Sequence, residues 1–327
     1  MSDPQADLSA DLPPAAHQAA GHDGCLSSGP IFAKPSTSQE IDFYTQLAPH
    51  AFDHEPGSHL AHWMPTYMGL LASKDSPEPP FIVLQNLYHG MAKPCILDIK
   101  LGAVLVDDTV TEEKRRRLAQ VSAETTSGSL HFRVCGMKVY CPDSAASPRD
   151  VLPSLADSIT EEKHSDGAYL SFDKTFGRRL TPESVVSGIG AFFAPFPHRK
   201  RLYTRFHQRL QLLYNCLLDT EVRINSGSLL FLYDADESRW AGLDDDSYLD
   251  ADPLLAEDEE DEDEEDEEDD DEDDDSKEKQ SKYKGPLSRL KLIDFAHAKL
   301  VPGEGPDENV IVGIENLLNV FAQLINH

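Results

Sequence analysis

Apolar and polar positions alternate most regularly between residues 94 and 102. Alternate side chains of a strand share a face, and the odd-numbered positions here are all Cys, Leu or Ile. The other face carries Ile96, Asp98 and Lys100. Two charges on an otherwise apolar strand are costly unless they line a polar cleft, and the alternative is a surface ion pair. The segment therefore predicts a strand with two candidate functional side chains.

Several other segments repeat with the period of a strand or of a helix. Strands are predicted at residues 31–34, 81–84, 130–134, 137–140, 228–233 and 290–297. Helices are predicted from Ser38, over 112–120, from Thr181-Pro182, over 198–218 and from Asn309 onwards. Strands dominate the first third and helices most of the rest, so we expect an α+β fold in two lobes.

Charge is distributed very unevenly along the 327 residues. The formal net charge is −30, and residues 257–275 are nineteen consecutive Asp or Glu. Such a run cannot bury a core, so residues 235–284 are expected to form a disordered acidic insertion. Residues 1–17 are expected to be disordered as well. The remaining chain divides into an N-terminal lobe, 18–92, and a C-terminal lobe, 93–327, that contains the insertion.

The five cysteines form no CxxC pair and are odd in number. This usage favours a reduced intracellular protein without a structural zinc site. The polar N-terminus predicts no secretory signal, and no apolar run has the length of a membrane span. We expect a monomer.

Three further side chains have the types that phosphoryl transfer requires. Asp294 follows an apolar strand and is suited to Mg²⁺, which binds one or two carboxylates together with substrate phosphates; the alternative is a turn or capping residue. Lys34 ends a strand and Glu40 lies on the next helix, so the two are candidates for an ion pair that contacts ATP phosphates. The alternative for Glu40 is a capping box with Thr37.

Motifs that the chain lacks narrow the class of enzyme. Neither GxxxxGK[ST] nor GxGxxG occurs, and there is no His-Arg-Asp catalytic loop. These absences exclude a P-loop enzyme and a typical protein kinase. Phosphoryl transfer depends mainly on positioning and on neutralising charge, so a kinase without that catalytic base is chemically reasonable.

The densest positive cluster is 114–117, Lys-Arg-Arg-Arg. On a helix Lys114 and Arg117 share a face, where they suit a polyanionic substrate; the alternative is a solvated helix face. Nucleic acid is a second polyanion, but no aromatic-rich basic surface accompanies these residues. We therefore expect no direct nucleic-acid binding.

Several motifs together resemble those of the inositol polyphosphate kinase family. They are spread in the family's order from about residue 20 to the end of the chain, and comprise Pro94-x-x-x-Asp98-x-Lys100-x-Gly102, Gly136-Met-Lys-Val-Tyr140, Gly177-Arg178, Ser228-Leu-Leu, Ile293-Asp-Phe-Ala-His297 and Gly305-Pro-Asp-Glu-Asn309. Within the family the chain is most similar to the fungal multikinases. The resemblance implies a two-lobed fold like that of protein kinases or ATP-grasp enzymes, with Mg²⁺-ATP as donor.

The resemblance also implies roles for individual residues. Asp98, Lys100 and His297 would be catalytic. ATP would be held by Lys34, Glu40, Gln85, Leu87, Asp98 and Asp294. The inositol phosphate would be held by Lys100, Lys114, Arg117, Lys174 and His297. Asp294 and Ser228 would bind the metal. The hinge, residues 85–87, departs from the family in lacking an acidic residue.

Two functions follow from this resemblance, and a third follows from the acidic run. The first is phosphorylation of inositol trisphosphate and tetrakisphosphate to the pentakisphosphate. The second is an inositol hexakisphosphate kinase that makes pyrophosphates. The third is a mainly scaffolding nuclear protein whose acidic run binds histones or transcription factors. Family members are associated with transcriptional control, so we expect the protein in the nucleus and the cytoplasm.

Overall fold

Two antiparallel sheets follow each other along the chain, in a computed structural model that describes residues 12–15, 24–71, 80–241 and 286–326. The first sheet has the order β1-β2-β4-β3. Its strands are β1 Leu26–Ser28, β2 Ile31–Pro35, β3 Tyr67–Leu71 and β4 Phe81–Gln85. Helix α1, Ser38–Leu47, follows β2. The Thr37 side chain accepts from the N–H of Glu40 and so caps this helix, as the sequence predicts.

The second sheet has six strands and lies C-terminal to the first. Its strands are β5 Pro94–Leu101, β6 Phe132–Pro142, β7 Ile159–His164, β8 Gly167–Phe172, β10 Ser228–Asp234 and β11 Ser288–Ile293, and their order in the sheet is β11-β10-β5-β6-β8-β7. Two short strands, β9 Val222–Ile224 and β12 Ala298–Leu300, pair separately. The α+β expectation is confirmed, with β5 near the centre of the larger sheet.

The remaining helices of the described ranges belong to the C-terminal part. They are α2 Glu112–Ala123, α3 Thr126–Leu130, α4 Lys174–Arg179, α5 Val185–Phe193, α6 Arg199–Leu218 and α7 Glu308–Asn326. Residues of α5, α6 and α7 share one buried apolar core with the large sheet. Phe321 of α7 stacks on Phe231 of β10, with ring centroids 5.5 Å apart. The helices thus cover one face of the sheet.

Strand β5 divides its side chains between two environments, as its alternation predicts. Its odd-numbered residues lie in the main core. Ile96 faces the other way, in a smaller cluster with Leu87, Met91 and Leu232. Asp98 and Lys100 share that second face because they follow Ile96 at intervals of two. The charged pair therefore points away from the helices.

Some predicted boundaries are wrong. The two strands predicted at 130–134 and 137–140 are one strand, β6, which begins after His131 in a left-handed conformation with φ of 55°. The strand predicted to reach His297 ends at Ile293. Helix α5 begins at Val185 because residues 181–184 form a hydrogen-bonded turn before it.

The predicted start of the acidic insertion, residue 235, is too early. Residues 237–240 form a 3₁₀ turn, and Trp240 is fully buried against Phe196, so the chain is still packed there. The acidic run 257–275 lies outside the described residues. In the N-terminal stretch expected to be disordered, residues 12–15 are described, and Pro14 forms an isolated bridge to Leu26. The rest of that stretch is not described.

All five cysteines are described, and none of them forms a disulfide bond. Within the described ranges no helix has the length and apolar character that a membrane span requires.

Candidate active site

Strand pairing brings the polar residues of β5, β10 and β11 together. Ser228 lies opposite Lys100 on one side and opposite Ile293 on the other. Asp98 lies opposite Leu230 of β10 on one side and opposite Gly136 of β6 on the other. Residues opposite each other on antiparallel strands are direct neighbours. Asp98, Lys100, Ser228 and the segment after Ile293 therefore converge on one region of the sheet.

Lys34 joins the small sheet to this region. Its Nζ lies 2.9 Å from Oδ1 of Asp294 and 2.9 Å from Oε1 of Glu40. The Lys34 side chain is 10% exposed and that of Glu40 only 2%. The predicted ion pair is thus present, and Asp294 completes it as a third member.

Glu40 is bound at both carboxylate oxygens. One oxygen accepts from the Ser36 hydroxyl at 2.7 Å, and the other accepts from the backbone N–H of Phe295 at 3.0 Å. The Thr37 cap is present as well, but it uses the backbone N–H of Glu40 and leaves the carboxylate to these two groups and Lys34. Thr37 therefore caps the helix, but the Glu40 carboxylate serves Lys34 and does not form the second bond of the predicted capping box.

The charge of Lys34 is maintained by its two carboxylate neighbours. Burial opposes the charged form, but the attraction of Asp294 and Glu40 and their hydrogen bonds to Nζ outweigh burial and raise the pKa of Lys34 above its usual value. A permanent cation so placed is suited to neutralise phosphate charge.

Asp294 has a φ of +66°, in the left-handed region that Asp and Asn tolerate better than other side chains. This conformation ends β11 and turns the chain immediately after the strand. The Asp294 carboxylate consequently meets Lys34, while Phe295 enters the core between Phe43 and Tyr44.

Lys100 is positioned by the loop before β10. Its Nζ donates to the carbonyl of Ser226 at 2.6 Å, and Ser226 has a left-handed φ of 59°. The Ser226 hydroxyl donates to the carbonyl of Leu105 at 2.8 Å. The ammonium of Lys100 is therefore fixed rather than free to swing, which lowers the entropy cost of using it.

His297 contacts a carboxylate that the sequence did not single out. Its Nδ1 lies 2.7 Å from Oδ2 of Asp107. Oδ1 of Asp107 accepts from the backbone N–H and the hydroxyl of Thr109, at 2.9 and 2.6 Å. Burial favours the neutral acid, but these bonds and His297 hold the pKa of Asp107 below its ordinary value. Asp107 is therefore ionised at neutral pH.

A clamp by Asn309 holds the loop between β5 and α2. The Asn309 Oδ1 accepts from the N–H groups of Ala103 and Val104, at 2.8 and 2.9 Å, and its Nδ2 donates to the Val104 carbonyl. Gly102 has φ of +88°, and a Cβ there would lie 2.3 Å from Asn309 Nδ2. Glycine is therefore required at 102, both for its φ and for the close approach of Asn309.

Helix α2 carries two cations without an ion pair among the described residues, Lys114 and Arg117. Arg115 and Arg116 instead contact Glu112, and Arg115 also donates to the carbonyl of Asp107 at 3.1 Å. The helix is thus anchored to the loop that holds His297. Lys114 and Arg117 remain available for an anion, and their role in substrate binding stays a prediction.

Lys174 begins α4, where Asp173 caps the helix through the N–H of Thr175. Neither strand pairing nor a hydrogen bond to the site brings Lys174 together with the other predicted substrate residues in the described part of the chain. Its role stays a prediction.

The predicted hinge connects the two sheets. Gln85 ends β4, and its N–H donates to Thr66. Leu87 is buried beside Met91 and Ile96, and its carbonyl accepts from Arg289 at 2.8 Å. Because that carbonyl is occupied, the backbone N–H of Leu87 is the better candidate for an adenine contact. The nucleotide roles of Gln85 and Leu87 stay predictions.

Asp294 and Ser228 together fit a hard divalent cation. The Ser228 hydroxyl oxygen is buried and has no hydrogen-bond partner among the described residues, and its strand neighbour Ile293 precedes Asp294. Carboxylate and hydroxyl oxygens suit Mg²⁺, whose remaining positions are usually filled by water and phosphates. No cluster of three or more His, Cys, Asp or Glu able to hold a metal exists within the described residues.

Sequence reasoning missed Asp107 and Asp234. Asp107 carried a usable signal, since Asp-x-Thr before a helix is typical of a side-chain-bonded turn. Asp234 is fully buried at the end of β10 and accepts from the N–H groups of Ala92 and Lys93, at 2.6 and 2.9 Å. It thereby fixes the connection between the sheets, which no local pattern indicates.

Comparisons with known proteins identify a matching family and several similar chains. The family model described as inositol polyphosphate kinase matches residues 81–322. The chain is 40% identical to an inositol polyphosphate multikinase of Saccharomyces cerevisiae, over 94% of this chain and 97% of the relative. It is 26% identical to human inositol hexakisphosphate kinase 1, over 88% of this chain and 62% of the relative.

A solved structure is also similar. It is the crystal structure of an inositol phosphate multikinase from Saccharomyces cerevisiae in complex with ADP and Mn²⁺. The TM-score is 0.69 at 38% identity, covering 91% of this chain and all of that one.

Proposed function

The chain belongs to the inositol polyphosphate kinase family, and we propose that it is an inositol polyphosphate multikinase. It is an ATP-dependent kinase that uses a divalent metal. It transfers the γ-phosphate of ATP to hydroxyl groups of inositol trisphosphate and tetrakisphosphate, giving the pentakisphosphate. The multikinase of Saccharomyces cerevisiae supports this function, being 40% identical where human hexakisphosphate kinase 1 is 26% identical.

The observation that carries the proposal is the contact of Lys34 with Asp294, two residues 260 positions apart. It joins a cation of the first sheet, suited to bind phosphate, to a carboxylate next to the second sheet, suited to bind a metal. Asp98, Lys100 and Ser228 lie on strands that neighbour this carboxylate. One region thus provides side chains both for the donor nucleotide with its metal and for the acceptor hydroxyl.

Each side chain then has a task in the transfer. Lys34 neutralises charge on the donor phosphates, and Lys100, held by Ser226, does so where the phosphate passes to the acceptor. Asp294 and Ser228 would hold Mg²⁺, which would supply further neutralisation of the phosphate oxygens. Lys114, Arg117 and Lys174 bind the phosphates of the inositol substrate, and Asp98 orients nucleotide and acceptor.

Replacement of Asp294 by Asn tests the metal assignment. Asn tolerates the left-handed φ of this position, so the backbone is retained while the negative charge is lost. We expect phosphorylation of inositol trisphosphate to fall by about 10³-fold, with weakened Mn²⁺ binding measured by electron paramagnetic resonance. Asp219→Asn, at the exposed end of α6, is the charge-matched control. Full activity of Asp294→Asn would contradict the assignment.

The nearest competing function is an inositol hexakisphosphate kinase. Purified protein given trisphosphate and hexakisphosphate in separate incubations, with products separated by anion exchange, distinguishes the two. We expect turnover of the trisphosphate. Turnover of hexakisphosphate alone would overturn the multikinase proposal.

We also propose a nuclear regulatory role through the acidic run 257–275, in a protein present in nucleus and cytoplasm. Nineteen consecutive carboxylates suit basic partners such as histones or transcription factors. Deletion of 257–275 should abolish capture of purified histones at low salt and leave turnover unchanged. Unchanged histone capture would contradict this role.

A further inference from the structure

Asp107 and His297 lie 190 positions apart in sequence, and their side chains form a hydrogen bond. The Asp107 side chain is 10% exposed and that of His297 is 30% exposed. Thr109 donates twice to the other carboxylate oxygen, so the carboxylate is held on both sides. The ring of His297 is therefore docked against a fixed acceptor.

The pair determines which ring nitrogen carries the proton. An ionised carboxylate only accepts hydrogen bonds, so Nδ1 of His297 must donate. The neutral ring then has its lone pair at Nε2. No described residue bonds Nε2, and the ring is partly exposed, so Nε2 is available to a substrate.

Backbone contacts connect this pair to both sides of the reaction. The His297 carbonyl accepts from the N–H of Asn225 at 3.2 Å, next to Ser226, which holds Lys100 at 2.6 Å. The Asp107 carbonyl accepts from Arg115 on the helix of Lys114. His297 is thus tied to the lysine assigned to the transferring phosphate and to the helix assigned to the substrate.

We propose that Asp107 is a positioning residue that holds His297 as the Nδ1–H tautomer, so that Nε2 accepts the proton of the acceptor hydroxyl. This inference rests on the proposed kinase function. The hydroxyl oxygen forms a bond to the γ-phosphorus while its proton moves to Nε2. The bond from that phosphorus to the bridging oxygen breaks, and ADP leaves with the electron pair. The Asp107 carboxylate stabilises the imidazolium that results.

Asp107→Asn tests the proposal because Thr109 dictates how the amide is oriented. The backbone N–H of Thr109 requires an acceptor at the Oδ1 position, so the amide oxygen occupies it and the NH₂ group faces His297. Nδ1 must then accept, which moves the ring proton to Nε2. We expect kcat to fall by about 10²- to 10⁴-fold, with KM for ATP changed less than about 2-fold.

Nitrogen-15 spectra of histidine-labelled protein read the tautomer without reference to activity, with His297→Gln providing the assignment. We expect Nδ1–H in the wild-type protein and Nε2–H in Asp107→Asn. Asp108→Asn, an exposed carboxylate next in sequence, is the matched control and should change neither signal nor rate. The double variant Asp107→Asn/His297→Gln should lose little more than His297→Gln alone.

Two results would overturn the inference. One is Nε2–H His297 in the wild-type protein, which is readable even if Asp107→Asn does not fold. The other is a folded Asp107→Asn variant with unchanged kcat. Failure of the wild-type protein to phosphorylate inositol trisphosphate would instead contradict the proposed function, while the spectra would still report the tautomer.

Discussion

Lys34 carries its charge where burial alone would suppress it. Glu40 and Asp294 raise its pKa despite that burial, and each carboxylate lies 2.9 Å from its Nζ. The three groups are therefore interdependent, because removing the cation leaves two carboxylates close together and without compensation. The ATP-binding role implied for Lys34 thus coincides with a structural role.

Lys34→Met should expose that structural role. Met retains most of the apolar volume but removes the cation, so we expect the free energy of unfolding to fall by about 3 kcal/mol, measured by urea denaturation. Nucleotide binding should weaken in parallel. In the double variant Lys34→Met/Glu40→Gln the loss should be smaller than in Lys34→Met alone, since one uncompensated charge is gone. Equal losses would contradict the coupling.

At the scale of elements, the loop after β5 shows why its motif has a glycine at position 102. Gly102 allows Asn309 of α7 to reach the backbone of Ala103 and Val104. The loop continues to Asp107 and then to α2, so its conformation determines where His297 and the cations of that helix lie. The final glycine of the 94–102 motif is therefore explained by a contact with the last helix.

Gly102→Ala should cost about 2 kcal/mol or more, because it combines a left-handed φ with a collision at Asn309 Nδ2. Gly303→Ala is the matched control, since Gly303 has a φ of +85° and an alanine Cβ there would meet no described atom within 4 Å. Gly303→Ala should lower the stability only by the cost of placing alanine at a left-handed φ. Thermal unfolding of both variants measures the difference, and equal losses would contradict the collision.

The segment between α1 and β3 contains four neighbouring histidines. His59 stacks on His54, with centroids 4.6 Å apart, and lies 6.1 Å from the rings of both His50 and His62. Burial and repulsion by these neighbours lower the pKa of His59 below its ordinary value of 6.5. Protonation is thus less favourable in the folded protein than in the unfolded chain.

This cluster predicts a pH dependence. Between the ordinary and the lowered pKa the unfolded chain binds more protons, so the free energy of unfolding should decrease as the pH falls below about 6.5. His59→Asn should make that decrease smaller. The Asn oxygen can accept from the N–H of Ala61 in place of His59 Nδ1, so the cap is retained. His89→Asn, outside the cluster, should leave it unchanged. Denaturation at pH 7.5 and pH 5.5 measures the effect.

For the molecule as a whole, contacts between the sheets determine whether the site exists. Phe295 stacks on Phe43 of α1 with centroids 4.9 Å apart, directly beside Asp294. Asp234 holds the chain that crosses from one sheet to the other, and it also pairs with Arg239 at 2.5 Å. Arg239 in turn donates to the carbonyl of Gly90. Packing and one buried ion pair therefore keep Lys34 facing Asp294.

Asp234→Ala should destabilise the whole protein, by about 3 to 5 kcal/mol. The substitution removes the carboxylate that pairs with the largely buried Arg239 and accepts from three backbone N–H groups, those of Ala92, Lys93 and Asp236. Asp236→Ala removes a nearby half-buried carboxylate that caps a 3₁₀ turn through the N–H and the hydroxyl of Ser238, and it should cost about 1 kcal/mol. Urea denaturation compares the two. Similar losses in the two variants would contradict the role given to Asp234.

Local patterns were sufficient for much of the architecture. Alternation identified β5 and its polar face, and apolar spacing identified α6 within one residue of its observed start, Arg199. Boundaries failed at His131, where the chain turned without a strong local signal, and at Val185, because the Thr181-Pro182 signal begins a turn and not the helix. Polarity also misled at residues 235–241, because Trp240 is buried by packing against distant residues.

By itself, the sequence determined the element types, the family resemblance and the identity of Lys34, Asp98, Lys100, Asp294 and His297 as candidates, because period and motif spacing are local properties. Only the tertiary structure decided their partners. Lys34 meets Asp294 across 260 positions and His297 meets Asp107 across 190. Such contacts depend on how two sheets and the loops between them pack, and short-range patterns carry no information about that packing.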